Sequence, residues 1–341
     1  MVTPAIAKLH AEAVELHADA LAESTRSKYE QHEVYWVRFL MVFGLMAFLC
    51  APSEGVLVLY VAWLARSVQY GGVRNYLMGL QRFLKSRGWR GHMSDYWALQ
   101  QVLAGLRRRA SAVVRKLPIT PHILMAVHSV LQSADDVELM IFTAMLIAFG
   151  AFLRKANVCA ASDSISHVQR SLLRRDVVLD VSNYCLHVTL RFRKNAQYGD
   201  AVHTVVVAGC RNHVLDPVAW WCAYTRRVPA AESDAAFGYI EQGKYVPLVH
   251  TVFVRWVKTL VSRAGFDASG YSGHSFRRGA ATFSFLVGLP EFLIKEMGAW
   301  RSQVYQVYLE LSLPQKLEVH RKWFAAMASG QWGADITATA P

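Results

Sequence analysis

The chain has 341 residues, which favours two domains, because single hydrophobic cores seldom grow beyond about 250–300 residues. Its 37 Lys and Arg exceed its 25 Asp and Glu, and this formal charge of +12 indicates either a polyanionic partner, such as nucleic acid or an anionic membrane surface, or merely a basic protein. The longest apolar run, residues 39–51, is shorter than the ~20 residues of a membrane span, so we expect a soluble protein.

The first third of the chain has the apolar periodicity of helices. After an Ala- and His-rich extension over residues 1–23, a helix is predicted to begin near Ser24, where Ser27 and Glu30 have the spacing of a capping box. Further helical patterns occupy residues 54–69, 73–87 and 94–110. No strand-like alternation interrupts them, so the sequence predicts an all-helical domain over residues 24–110.

A basic segment separates this domain from the rest of the chain. Thr120 and Pro121 have the pattern of a helix N-cap followed by proline in the first turn, so we place an interdomain linker at residues 111–119. Such a charged segment is either a solvated linker or a contact to a DNA backbone. The side chains that would make backbone contacts are Arg107, Arg108, Arg109, Arg115 and Lys116.

The second domain, residues 120–330, changes periodicity along its length. Helices are predicted over 121–133 and 136–155. Apolar and polar residues then alternate over 184–192, and residues 202–207 form a return strand, which together predict a small antiparallel sheet. From residue 215 to about 328 the pattern is helical again, and residues 331–341 form a flexible tail.

Cysteine and histidine patterns predict neither disulfides nor a metal site. The five cysteines form no C-x-x-C pair, which indicates reduced thiols in an intracellular protein. The thirteen histidines show neither H-E-x-x-H nor paired Cys/His spacing. Residues 238–244 match the phosphate-loop spacing G-x-x-x-x-G-K, but Tyr245 stands where Ser or Thr would hold magnesium. We therefore expect no metal and no cofactor.

Several polar residues of the second domain have ordinary explanations when each is taken alone. Arg154 at the end of an apolar helix would complement the helix dipole, and Lys194 at a hairpin tip would be solvated. His274 and Arg277 are more unusual, because their i,i+3 spacing at a helix start places both beside exposed N–H donors, as in an anion site. Tyr305 and Tyr308 share one face of a helix predicted over residues 303–311.

Taken together, these residues suit attack on a phosphodiester without a metal ion. Two arginines donate hydrogen bonds to the non-bridging oxygens and match the charge of the transition state. A tyrosine is the nucleophile, and its proton must be removed. A lysine ammonium on a loop supplies the proton that the leaving 5′-oxygen needs.

The ordered set Arg154, Lys194, His274-x-x-Arg277, Trp300 and Tyr308 resembles the tyrosine recombinase (phage integrase-like) family. The motifs HSFRRGAAT and GAWRS are most similar to those of Crypton-type and DIRS-type mobile-element enzymes. The resemblance implies a mainly α fold, with an N-terminal all-helical core-binding (SAM-like) bundle and a C-terminal α+β catalytic domain that together enclose duplex DNA.

The resemblance also implies a role for each matching residue. Arg154 and Arg277 would bind the scissile phosphate, and Lys194 would be the general acid. His274 would assist proton transfer at the tyrosine, and Trp300 would replace a second histidine by donating an indole hydrogen bond. Tyr308 would form a 3′-phosphotyrosyl bond.

The chain departs from the family pattern at two places. Asn157 stands three residues after Arg154, where the family usually has an acidic residue. Trp300 and Tyr308 are eight residues apart, one fewer than in many bacterial members, so Tyr305 competes with Tyr308 as the nucleophile. Tyr308 is favoured, because it lies further into the helix and matches the Val-Tyr-Leu pattern.

The expected activity is DNA strand breakage and rejoining, as in the recombination or integration of a mobile element. The expected partner is double-stranded DNA, bound by a homodimer at each site and a tetramer in the synaptic complex, with neither a membrane nor a small-molecule substrate. A eukaryotic origin would imply residence in the nucleus. A DNA-binding protein that no longer cuts and a type IB topoisomerase-like enzyme are the alternatives.

Overall fold

The computed structural model describes residues 4–111, 115–132, 135–192, 202–300 and 303–308, together with positions 317 and 321. The chain forms two compact units, Met1–Val114 and Arg115–Pro341, and their boundary falls inside the linker predicted at residues 111–119. The predicted tail at residues 331–341 lies outside the described residues. Among the helices of the described ranges, none has the length and apolarity that crossing a membrane would require.

The first unit is all-helical. Its helices are α1 Pro4–Asp19, α2 Glu23–Val42, α3 Glu54–Leu64, α4 Tyr70–Ser86 and α5 Trp97–Arg109. Trp36 and Tyr60 are fully buried in its core, and their rings meet edge to face with centroids 5.0 Å apart. The Glu54 carboxylate accepts hydrogen bonds from the first backbone N–H groups of α5 and so caps that helix from a neighbouring one.

The capping box predicted at the start of α2 is absent from the structure. The helix begins at Glu23, its N-cap is Ala22, and no side chain caps it. Ser27 and Glu30 therefore lie inside the helix. The residues between Glu23 and Ser27 are compatible with helix, so the helix continues through the position at which the motif would start it.

The second unit is built around one buried helix. Its helices are α6 Pro121–Ser129, α7 Asp136–Gly150, α8 Lys155–Val158, α9 Ile165–Val168, α10 Pro217–Arg227, α11 His250–Arg263, α12 Ser275–Leu286 and α13 Glu291–Met297. Helix α7 is buried from Glu138 to Ala148, because its residues are apolar on every face and α10, α11 and α12 pack around it. Its one buried carboxylate, Glu138, forms an ion pair with Arg263.

A three-stranded antiparallel sheet lies beside these helices, as the alternating pattern predicts. Its strands, in the order β1-β2-β3, are β1 Val177–Asp180, β2 Cys185–Leu190 and β3 His203–Ala208. Leu186 and Val188 on β2 and Val205 on β3 point into the core. Leu190 pairs with His203 at the end of the sheet from which the chain continues to Lys194.

A second, two-stranded sheet occupies part of the region predicted to be helical from residue 215 to 328. Strands β4 Gly238–Glu241 and β5 Lys244–Pro247 form a hairpin, so the helical prediction is wrong here. Gln242 and Gly243 both have positive φ, 50° and 75°, which is the conformation of a tight type I′ hairpin turn. The phosphate-loop spacing in this segment belongs to the hairpin.

Residues 115–119 belong to the second unit and pack against the start of α12. The backbone N–H groups of Leu117 and Ile119 donate to the carbonyls of Gly270 and Ser275, at 2.7 and 3.0 Å. A methyl group at Gly279 would lie 1.7 Å from the carbonyl oxygen of Ile119. Glycine at this position therefore allows α12 and the segment 115–119 to touch backbone to backbone.

Candidate active site

One cleft of the second unit brings together residues from distant parts of the sequence. It encloses about 430 Å³, part of it open to solvent. Its polar side chains come from the turn after α7, from α8, from β3 and from α12, and they are Arg154, Asn157, His203 and Arg277. Among the described residues, no Asp or Glu lines the cleft, so its charged side chains are basic. A cleft of this charge suits an anionic group.

Arg277 is held in a fixed position inside this part of the structure. Its side chain is 4% exposed, and its Nη1 and Nη2 donate to the carbonyls of Phe152 and Gly298, at 2.8 and 2.5 Å. The guanidinium carbon lies 3.9 Å from the ring centroid of Trp300, a cation–π distance. The planar cation is thus oriented by two hydrogen bonds and one aromatic face before any ligand arrives.

The backbone around Arg277 adopts strained conformations. Phe152 and Ala299 have φ of 54° and 48°, a left-handed conformation that costs non-glycine residues about 1–3 kcal/mol each and often occurs at functional sites. Both lie at or next to the carbonyls that accept from Arg277. Gly298 has no room for a side chain, because a methyl group there would lie 1.7 Å from the ring of Trp300.

Arg154 lines the cleft, but it does not end the long apolar helix as predicted. Helix α7 ends at Gly150, and the N–H of Leu153 donates to the carbonyl of Ala148 at 2.8 Å, which closes a C-terminal turn. Arg154 is instead the N-cap of the short helix α8. Phe152, in a left-handed conformation, lies between the end of α7 and Arg154, which lines the cleft.

Two other predicted site residues, His274 and Trp300, lie at the start of α12 and after α13. His274 is exposed and is the N-cap of α12, one helical turn before Arg277. Trp300 is buried, and its ring packs edge to face on Phe152 with centroids 6.0 Å apart. Its position against Arg277 gives it a packing function that residue spacing does not reveal.

The two tyrosines differ in what the structure describes. Residues Gln303–Tyr308 form a 3₁₀ helix where an α-helix to residue 311 was predicted. Tyr305 is 1% exposed, packs against Trp300, and donates its hydroxyl hydrogen bond to the Glu291 carboxylate. This hydrogen bond raises the pKa of the Tyr305 phenol, with burial as a smaller cause. The side chain of Tyr308 lies outside the described residues.

Lys194 also lies outside the described residues, but the strand that leads to it is described. Arg191 at the end of β2 donates from Nε to both carboxylate oxygens of Asp176, at 2.9 Å each. Asn157 Nδ2 donates to the carbonyl of Phe192 at 3.1 Å. Two independent contacts therefore fix the chain just before Lys194.

The basic residues proposed to contact DNA are all exposed. Arg107, Arg108 and Arg109 form the last turn of α5 in the first unit. Arg115 and Lys116 begin the second unit, where the Lys116 ammonium donates to the carbonyl of Ser269 at 2.8 Å.

Sequence reasoning missed two contributors to this region. His203, at the start of β3, lines the cleft. It pairs with Leu190, another lining residue, so the register of the predicted hairpin is the signal that could have placed it there. Arg278 is 5% exposed, and its Nη1 donates to the carbonyl of Lys116 at 2.6 Å. Of the two adjacent arginines, Arg277 thus serves the cleft and Arg278 holds residues 115–119.

In the described part of the chain, one group of side chains has ligand atoms close enough to hold a metal ion: Asp180, Cys185 and His187. The group lies at the opposite end of β2 from the cleft. The Asp180 carboxylate already accepts hydrogen bonds from the backbone and side chain of Asn183, at 2.9 and 2.7 Å. Local hydrogen bonding accounts for this arrangement.

No protein-family model matches the sequence, and no curated protein matches it. Several solved structures are similar to this one. A XerH site-specific recombinase, in a post-cleavage complex with a difH substrate, has a TM-score of 0.55 and 16% sequence identity. The match covers 81% of this chain and 72% of the recombinase. The Tn1549 transposon integrase in complex with a circular intermediate DNA has a TM-score of 0.54 and 14% identity, and the match covers 92% of this chain and 98% of the integrase. A lambda integrase dimer bound to a core site has a TM-score of 0.57 and 13% identity, and the match covers 89% of this chain and 94% of the integrase.

Identities this low establish shared architecture and no more. The chain is mostly helical with small antiparallel sheets, and this is the architecture that it shares with these structures. The chain has the tyrosine recombinase fold.

Proposed function

We propose that this protein breaks and rejoins DNA strands at paired sites through a covalent 3′-phosphotyrosyl intermediate, as in the recombination or integration of a mobile element. The observation that carries the proposal is the cleft in which Arg277, fixed on two carbonyls and Trp300, lies with Arg154. One oriented guanidinium and a second arginine, in a cleft that no acidic residue of the described chain lines, suit the non-bridging oxygens of a phosphodiester. The net charge of +12 suits DNA as the partner.

In the proposed reaction, the phenol oxygen of Tyr308 attacks the phosphorus while the bond from phosphorus to the 5′-oxygen breaks. The leaving 5′-oxygen takes a proton from the Lys194 ammonium, and His274 assists removal of the phenol proton. The phosphotyrosyl bond retains the energy of the broken linkage. Rejoining therefore requires neither ATP nor a metal ion, and a second 5′-hydroxyl completes it by displacing the tyrosine.

The tyrosine assignment is supported by the surroundings of its competitor. Tyr305 is buried and bonded to Glu291, and its raised phenol pKa disfavours the phenolate that would attack. Two dimers on paired sites would supply the four tyrosines that exchange of two duplexes needs. This stoichiometry is part of the proposal.

A suicide DNA substrate tests the chemistry. It carries the terminal sequence of the mobile element that encodes the protein, and it loses its short 5′-leaving strand after cleavage, so that the covalent complex accumulates. In the presence of EDTA, wild type and Tyr305→Phe should give a denaturant-resistant protein–DNA adduct, and Tyr308→Phe should give none. An adduct lost only in Tyr305→Phe would reverse the tyrosine assignment. DNA binding without any adduct would favour the DNA-binding protein that no longer cuts.

A second assay separates recombination from the topoisomerase-like alternative. Wild-type protein is mixed with two plasmids that carry the same site and distinct markers. Exchange of markers between the plasmids supports recombination, whereas relaxation of supercoils without exchange supports the topoisomerase-like enzyme.

A further inference from the structure

Asn157 connects the turn that carries Arg154 to the segment that leads to Lys194. Its Oδ1 accepts a hydrogen bond from the backbone N–H of Arg154 at 3.3 Å, and its Nδ2 donates to the carbonyl of Phe192 at 3.1 Å. Its own carbonyl accepts from the N–H of Leu172 at 2.9 Å. One side chain thus joins the turn that carries Arg154 to the end of β2, two residues before Lys194.

The chemistry of the two partners requires an amide at this position. The backbone N–H of Arg154 can only donate, and the carbonyl of Phe192 can only accept, so the side chain between them must offer one acceptor and one donor. A carboxylate offers acceptors alone. An aspartate at position 157 would keep the bond to Arg154 and would turn a second oxygen towards the carbonyl of Phe192.

We propose that Asn157 is a positioning residue that aligns Arg154 with the strand leading to Lys194, and that the amide, rather than an acidic group, is needed for this alignment. The inference rests on the proposed function. It predicts that the acidic residue usual in enzymes of this type would impair this chain. The bond to Phe192 would hold the segment that leads to the proposed general acid, and the bond to Arg154 would orient the phosphate-binding arginine.

The structure allows this role to be tested without loss of the fold. The end of β2 has a second anchor in the Arg191–Asp176 pair, so replacing Asn157 leaves the strand paired and attached. Asn183 provides a matched control at the opposite end of β2, because its Nδ2 donates to Asp180 at 2.7 Å. Asn183→Asp makes the same amide-to-carboxylate change away from the cleft.

The two bonds of Asn157 can be separated by comparing substitutions and leaving groups. Asn157→Asp removes only the donor to Phe192, whereas Asn157→Ala removes both bonds. Each variant reacts with a DNA suicide substrate and with the same DNA carrying sulfur in place of the scissile 5′-oxygen. In the sulfur substrate the tyrosine oxygen forms its bond to phosphorus while the phosphorus–sulfur bond breaks. The sulfur leaves as a thiolate, which needs no proton because thiols are far more acidic than alcohols.

On ordinary DNA we expect Asn157→Asp to form adduct about 10–100-fold more slowly than wild type, since displacement of a catalytic group by an ångström has effects of this size. On the sulfur substrate this variant should approach the wild-type rate, because the general acid is then not needed. Asn157→Ala should recover only part of the wild-type rate on the sulfur substrate, since this variant also misplaces Arg154. Asn183→Asp should match wild type on both substrates, and the loss of rate in the Asn157 variants should exceed any loss of DNA affinity.

Three results would overturn the inference. Asn157→Asp could react like wild type on ordinary DNA, or be equally slow on both substrates, or lose rate only in proportion to DNA binding. If wild type itself gives no adduct, the proposed function fails, and that failure is visible in the wild-type lane alone. Amide hydrogen exchange at Arg154 then tests the bridge directly: it should be faster in Asn157→Ala than in wild type, and equal exchange would rule the bridge out.

Discussion

The guanidinium of Arg277 lies 3.9 Å from the ring centroid of Trp300, and this contact joins the start of α12 to the segment that follows α13. The indole presents its negative face to a cation that already donates to two carbonyls. The tryptophan therefore contributes an orienting surface. A histidine at the same position would supply a smaller face for this cation and a titratable group.

Arg277 and Arg278 are adjacent and both buried, but Arg277 lines the cleft whereas Arg278 binds the carbonyl of Lys116. Each arginine is therefore a control for substitution of the other. Arg277→Lys lacks the planar fork whose two nitrogens donate to the two carbonyls, so we expect adduct formation to fall about 100-fold or more, a typical effect of losing an oriented donor. Arg278→Met should lose about 1–3 kcal/mol of unfolding free energy, because the carbonyl of Lys116 loses its buried donor. Its folded fraction should cleave DNA within a few-fold of wild type. Single-turnover cleavage and urea denaturation measure the two effects, and equal loss of cleavage in both variants would contradict this division.

The close approach at Gly279 predicts a large effect of a single methyl group. Gly279→Ala places that group 1.7 Å from the carbonyl oxygen of Ile119, and overpacking of this kind costs about 1–3 kcal/mol or more. Gly105→Ala is the control, because nothing lies within 4 Å of the added group on α5 and alanine favours helix by up to about 1 kcal/mol. Denaturant unfolding should show opposite signs for the two variants. A neutral Gly279→Ala would mean that α12 and residues 115–119 separate easily.

The exposed arginines at the end of α5 predict a change in the salt dependence of DNA binding. Replacing Arg107, Arg108 and Arg109 by glutamine should reduce the slope of log affinity against log salt by about 0.9 for each DNA phosphate that these side chains neutralise in the wild type. Replacing Lys244, Arg255 and Lys258, which are also exposed, removes the same charge from the second unit. Binding is measured by fluorescence anisotropy over a range of salt concentrations. Equal slopes in the two triple variants would show that net charge, rather than position, governs binding.

The lowered pKa of the His32 imidazole predicts that the first unit loses stability in acid. Its ring lies 4.3 Å from that of Tyr76, centroid to centroid, and burial, followed by the nearby Lys28, lowers its pKa below 6.5. A lowered folded pKa means that the unfolded chain binds the proton first. The stability from neutral His32 is therefore complete above pH 6.5 and is lost as the pH falls towards the folded pKa.

Unfolding of the first unit in urea at pH 7.5 and pH 5 measures this loss, with the assigned fluorine NMR resonance of the buried Trp36 in fluorotryptophan-labelled protein as the signal. His32→Gln should reduce the difference between the two pH values. A variant that keeps the full wild-type difference would assign the acid sensitivity to another group.

The strongest sequence predictions are those in which a repeating pattern extends over many residues. The alternation over β2 and the helical periods of α3, α4 and α5 predict the observed elements, because each buries one consistent face. Strands β1 and β4 contain only four residues each, too few for a period to appear. The end of α7 was misplaced for a related reason. The apolar run continues through Leu153, and only the left-handed Phe152 stops the helix.

The small residues of α12 allow another segment to approach the helix closely, but the sequence does not say which segment. What approaches Gly279 is the backbone of Ile119, 160 positions earlier in the chain. The bridging role of Asn157 is hidden for the same reason, since its partner Phe192 lies 35 residues away, just after β2. Local pattern identifies which residues are unusual, whereas the identity of their partners depends on the fold.

The position of residues 115–119 determines where the chain can be divided. A fragment beginning at Pro121 would lack the segment that pairs with Gly270 and Ser275 and covers Gly279, so the carbonyls of Gly270 and Ser275 would lose their backbone donors. A fragment beginning at Arg115 would retain them. We expect the longer fragment to express as a stable domain and the shorter one to aggregate, although only six residues distinguish them. Those residues therefore mark where the junction must lie if either unit is exchanged for the corresponding unit of another protein.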